Sequence, residues 1–123
     1  GEAEADPTFS AWSFRLVRLM HEAGVPVGAG TDTPIGLGIP GESLHTELEW
    51  LVRAGLSARE ALHAATVQPA RFLGLEREMG QVAPGMRADL LLLDRNPLDD
   101  ITATRGIRRV MSRGAFVPLA AGR

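Results

Sequence analysis

The sequence predicts an α/β chain, helical first and strand-rich at its end. Three observations carry this. A helix-period stretch passes through one glycine into a short, small, apolar segment, Val25-Pro-Val-Gly-Ala-Gly-Thr-Asp32, and that is half of an α/β repeat. Helical spacing then returns and persists to Gly74. After Gly80 the pattern changes to short apolar runs separated by turns, which divides the chain into 1–79 and 80–123.

In chain order, the first helix is expected over Phe9 to Ala23. Phe9, Trp12, Leu16, Leu19, Met20 and Ala23 recur every three or four residues and make one buried stripe. Thr8 or Ser10 suits its cap. Gly24 ends it, with His21 in the last turn where the helix dipole favours a cation. Val25 to Thr31 reads as a buried strand ending at Asp32, with Pro26 tolerable at its start. Thr33 to Gly41 holds three glycines and two prolines, so it is a loop. Ser43 suits the cap of a helix whose Leu44, Leu48, Leu51, Val52 and Gly55 share a face. Ser57-Ala-Arg-Glu60 is a capping-box pattern, and Ala58, Ala61, Leu62 and Ala65 point that next helix inward. Gln68-Pro69 opens a third short helix that Gly74 closes. Val82 to Gly85 is a turn. Ala88 to Asp94 is a strand apolar on both faces, which calls for cover on both sides. Ile107 to Met111 and Ala115 to Pro118 read as two strands around a turn at Arg113-Gly114.

Composition removes several functions. The 123 residues are 45% hydrophobic and 23% charged, enough for a packed core. There are 13 basic and 15 acidic residues, every basic one an Arg, so neither nucleic acid nor an acidic membrane surface is an expected partner. The longest apolar run is four leucines, too short to cross a membrane. Gly1 to Asp6 are acidic with no apolar stretch behind them, so no signal peptide is read and the cytoplasm is the expected compartment. Without Cys, thiolate zinc sites and cysteine nucleophiles are excluded. His21, His45 and His63 lie too far apart for a local metal clamp.

Three segments carry a resemblance. Gly30-Thr31-Asp32 ends a strand. Ser43-Leu-His-Thr-Glu-Leu-Glu-Trp-Leu-Val-Arg-Ala-Gly-Leu-Ser-Ala-Arg-Glu-Ala-Leu-His-Ala-Ala-Thr66 leads into Gln68-Pro69-Ala70 and Leu73-Gly74-Leu75. Gly80-Gln-Val-Ala-Pro-Gly85, Ala88 to Asp94 and Asn96-Pro97-Leu98 follow. In that order and spacing they resemble the C-terminal part of the metal-dependent amidohydrolase superfamily, most nearly its imidazolonepropionase-like and prolidase-like branch. The resemblance covers residues 9 to 117.

The resemblance implies a (β/α)₈ barrel whose last strand is Val25 to Thr31, plus a small β-sandwich to which Ala88 to Val117 contributes. A whole barrel takes roughly 250 residues, so the expectation is a C-terminal fragment of one; a chain opening on Gly agrees. The implied chemistry is hydrolysis of an amide, peptide or cyclic amide C–N bond by water held on one or two divalent ions, zinc by expectation. In that scheme Asp32 is the catalytic and metal-site carboxylate, orienting the water and carrying its proton to the leaving nitrogen. Thr33 opens the loop that rims such a site and His45 follows it, so these two are the candidate substrate contacts. The family's His-x-His, mid-barrel Lys or acidic ligand and two later histidines are absent from this sequence. The chain is therefore expected to be inactive alone, with the missing barrel part or a partner chain supplying the rest, and to self-associate or form homo-oligomers.

Plainer readings stand beside these. Asp32 suits a loop cap, and His45 suits pairing with Glu49 four residues on. His21 and His63 suit helix faces, and Glu47 and Glu49 a solvated one. Asp89 suits the bonding of backbone donors near its glycine turn. Gly36 and Gly38 lack the third glycine of a dinucleotide fingerprint. Other function classes remain open: a non-catalytic remnant that packs on a partner, and a subunit complementing a chain that carries the other ligands.

Overall fold

The computed structural model describes residues 7–33 and 38–118. The centre of the glycine loop, including Gly36, and the side chains of residues 7–10, Phe9 among them, lie outside the described residues. Four helices come first: α1 (Pro7–Glu22), α2 (Ser43–Arg53), α3 (Ala58–Ala65) and α4 (Val67–Phe72). A three-stranded sheet follows, built from β1 (Leu90–Leu93), β2 (Ile107–Ser112) and β3 (Ala115–Val117), with a 3₁₀ helix at Ile101–Arg105 between its first two strands.

The core lies between α2, α3 and the 3₁₀ helix. Leu48, Leu51, Leu56, Ala61, Ala64 and Ile101 are its buried members, with Val17, Val27, Ala29 and Val52 packed against them. The capping box forms as expected: Ser57 Oγ accepts from the Glu60 N–H, while Glu60 takes the Ser57 N–H at 2.7 Å. Gly24 ends α1 at φ +77°, with Gly24 N–H donating to His21 O and Val25 N–H to Met20 O, the paired bonds of a Schellman motif. Ser43 is not a cap. It is the first residue of α2, and its hydroxyl accepts the Ile39 N–H at 2.6 Å instead. α1 begins at Pro7, and the side chains of Thr8 and Ser10, its expected caps, lie outside the described residues.

Two expectations about burial on the helices need correction. The apolar stripe of α1 faces outward: Trp12 is 58% exposed, and Leu16, Leu19 and Met20 are exposed with it. Its inward face is instead Phe14, Val17 and His21. The core of this chain is small, and one face of α1 saturates it; Arg53 caps Phe14 with its guanidinium 5.2 Å from the ring centre. Leu44 likewise points away from the buried Leu48 and Leu51.

Val25 to Thr31, expected as a buried strand, is not one: it belongs to no sheet, and Val25 and Pro26 are exposed. It alternates as a strand does, with Val27, Ala29 and Thr31 turned inward and Gly28 and Gly30 outward. No neighbouring strand among the described residues pairs with it.

The sheet runs in the order β1-β2-β3, all antiparallel, with Leu91 opposite Val110 and Val110 opposite Val117. Arg113 and Gly114 take φ of +49° and +82° in the β2–β3 turn, the backbone of a tight hairpin. Leu91 and Leu92 project to opposite faces and are both more than half exposed. The cover expected on both faces of β1 is therefore not supplied among the described residues.

Candidate active-site segment

Asp32 ends the extended segment in the left-handed region, φ +51°, which Asp tolerates better than most residues. Two backbone anchors hold the approach to it. Ala29 N–H donates to Ala64 O at 2.8 Å, and Gly30 N–H to Glu47 Oε1 at 3.4 Å. Gly28 backs onto the Phe72 ring, where a Cβ would stand 3.0 Å from Cε2. Thr31 and Thr33 join hydroxyls across Asp32 at 2.7 Å. The Asp32 side chain is exposed, and no described residue bonds its carboxylate. An open carboxylate on a braced backbone can exchange a proton with water or substrate. The residues that a loop cap at Asp32 would bond, 34–37, lie outside the described residues.

His45 does not pair with Glu49. Its Nδ1 lies 3.0 Å from Thr104 Oγ1 on the 3₁₀ helix. Glu49 is taken by Arg105, whose Nε donates to it at 2.9 Å; the same guanidinium pairs with Glu42 and bonds Thr46 Oγ1 at 3.0 Å. Glu47 and Glu49 are thus anchors, not a solvated face. Glu47, two residues beyond His45 and on another side of α2, is the side chain that reaches the Asp32 segment.

At the other end of the segment a cleft of about 250 Å³ is lined by His21, Val25, Leu56, Glu60, His63 and Gln68. His21 Nε2 sits 3.2 Å from Glu60 Oε1. The Ser57 hydroxyl, then its N–H, hold the Glu60 carboxyl below the usual carboxylate range, and His21 adds to this. Asp89 bonds the Arg113 N–H at 2.8 Å across the hairpin, with Arg87 beside it, so its backbone donor comes from the β2–β3 turn rather than from its own glycine turn.

The 3₁₀ helix was not anticipated, although Asp100-Ile-Thr102 signals it. Asp100 accepts the Thr102 N–H at 3.0 Å and the Thr102 hydroxyl at 2.7 Å, capping the first turn. No three His, Asp or Glu side chains among the described residues converge on a metal position. A zinc site takes four ligands, so these residues do not complete one. Asp32 has the donor chemistry for one position.

Residues 13–117 match the amidohydrolase family. An N-substituted formamide deformylase from Arthrobacter pascens is 38% identical over 94 residues, which is 70% of this chain and 17% of that enzyme. An imidazolonepropionase from Rubrobacter xylanophilus is 44% identical over 82 residues, 63% of this chain and 19% of that enzyme. The crystal structure of a Xaa-Pro dipeptidase with methionine bound in its active site superposes with a TM-score of 0.78 at 28% identity, covering 85% of this chain and 25% of that one. The chain spans about a fifth of the length of these curated relatives.

Proposed function

The chain belongs to the amidohydrolase family, and from that premise we propose that it is the C-terminal part of a metal-dependent hydrolase acting on an amide, peptide or cyclic amide C–N bond. The observation that carries the reading is Asp32: an exposed carboxylate at the end of an extended, alternating segment, on a backbone braced by Ala64 and Glu47. The Val25–Thr31 segment is then the last barrel strand, and Ala88 to Val117 the returning part of a β-sandwich. The second carries exposed apolar surface, Leu91, Leu92 and Phe116 among it, that such a layer would cover.

In this reading Asp32 accepts a proton from the attacking water and delivers it to the leaving nitrogen, as one carboxylate can in base and acid roles. Thr33 and His45 contact the substrate. Asp32 would supply one ligand to the divalent ion, zinc by expectation, and the remaining barrel, in the same polypeptide or a second one, would supply the others. The substrate is a small amide or peptide.

The test compares the 123-residue chain with a longer protein that includes it. Each is assayed with zinc or manganese against dipeptides, N-formyl amides and cyclic amides. The expected result is metal-dependent turnover by the longer protein only. Turnover by the short chain that survives repurification overturns the claim that it is incomplete; a metal-loaded longer protein inert on every C–N bond tried overturns the activity.

A further inference from the structure

Thr104 is the buried polar side chain of the described residues, 6% exposed, and its hydroxyl has one hydrogen for two neighbours. The Ile101 carbonyl oxygen lies 2.9 Å away and His45 Nδ1 3.0 Å away. A carbonyl can only accept, so the hydroxyl hydrogen goes to Ile101. The hydroxyl oxygen is left as an acceptor, and a protonated Nδ1 is what satisfies it. The opposite arrangement, a bare Nδ1, would pull that hydrogen off Ile101 and forfeit a bond in a buried place. The carboxylate best placed on α2 to claim the ring, Glu49, is held by Arg105.

We infer that Thr104 is a positioning residue: it holds His45 as the Nδ1–H tautomer, so the neutral ring offers Nε2 as a bare acceptor. This rests on the reading in which His45 meets substrate, and it deepens that reading. A neutral His45 of this tautomer receives an N–H or O–H donor, such as an amide N–H beside the scissile bond. It does not grip a substrate carboxylate. The 3₁₀ helix, through Thr104, thereby selects the polarity of the substrate group that binds.

The experiment reads tautomer and kinetics together. The longer protein is labelled with ¹⁵N-histidine, and the His45 signals are assigned by their loss in His45→Asn. With the ring neutral, the wild type is expected to show Nδ1–H. Thr104→Val should release the ring to both tautomers and raise KM by about three- to tenfold, the worth of one hydrogen bond, with kcat little changed. Thr104→Ser should restore both. An Nε2–H tautomer in the wild type overturns the inference even if Thr104→Val fails to fold. So does a Thr104→Val protein with the wild-type tautomer, or one whose tautomer changes while KM does not. Failure of the hydrolase reading is seen separately, as a longer protein inert on every C–N bond tried, and leaves the tautomer result standing.

Discussion

Arg105 Nε donates to Glu49 Oε1 at 2.9 Å, across 56 residues of sequence, and ties the 3₁₀ helix to α2. The same guanidinium bonds Thr46 and pairs with Glu42, so two α2 side chains and that of Glu42, just before the helix, close on one cation. Arg105→Met keeps the stem and removes the bonds. Because the group is partly exposed, the loss should be modest, about 1 kcal/mol, lowering the thermal midpoint by roughly 4 °C for a domain of this size. A double-mutant cycle with Glu49→Gln should recover part of that loss as coupling. An Arg105→Met midpoint equal to wild type would show that the network contributes nothing.

Gly80 and Gly85 both sit at positive φ, +101° and +87°, but in different surroundings. A Cβ at Gly80 would lie 2.8 Å from Ala70 Cβ and 3.0 Å from Thr66 O, whereas nothing stands within 4 Å at Gly85. Both alanine variants carry backbone strain; only Gly80→Ala adds a collision. Its extra destabilisation should be about 1–3 kcal/mol, the usual range for overpacking. Equal denaturation midpoints for the two variants would contradict the tight passage of the chain over α4.

Acid should weaken the fold through three carboxyls held below their ordinary values. Glu60 is stabilised chiefly by the Ser57 hydroxyl, Asp89 by the Arg113 N–H and Asp100 by the Thr102 hydroxyl. A lowered folded-state pKa means the contribution is complete above the ordinary values of 4.5 and 3.8 and is lost as pH falls through the depressed ones. Thermal midpoints should hold from pH 7 to about 5 and drop below. Glu60→Gln keeps a capping amide but cannot titrate, so its acid slope should be shallower than wild type. Parallel slopes would remove Glu60 from the explanation.

Much of this was legible because it is local. The capping box at Ser57, the Gly24 stop and the Arg113-Gly114 turn follow from side chains and backbone preferences within a few residues. What sequence reasoning missed is set across distance. The outward turn of Trp12 and Leu19 depends on how much core α2 and α3 offer, which spacing within α1 does not reveal. At the site, Asp32 could be singled out from the Gly-Thr-Asp context. Its bracing by Glu47 and the hold of Thr104 on His45 join residues 17 and 59 positions apart, and no local pattern announces them. The 3₁₀ helix is the exception, since its Asp100 cap was there to be read.

The outward stripe carries its own expectation. Trp12, Leu16, Leu19 and Met20 on α1, and Leu91 and Leu92 on β1, leave apolar surface open on both halves of the chain. Monomers rarely tolerate more than roughly a few hundred Å² of contiguous apolar patch. The 123-residue chain should therefore self-associate in sedimentation and bind a hydrophobic dye, and Trp12→Glu with Leu19→Glu should reduce both. A clean monomer at high concentration that leaves the dye dark would contradict this.

The central claim is that Asp32 moves the proton, and Asp32→Asn in the longer enzyme tests it most directly. The amide keeps the size of the carboxylate but cannot accept and pass on that proton. The account predicts a fall in kcat of roughly a hundredfold or more, KM within a few-fold of wild type, and an unchanged circular dichroism spectrum, because the exposed carboxylate packs against nothing described. Near-full turnover by a normally folded Asp32→Asn enzyme would contradict it and leave Asp32 a loop residue.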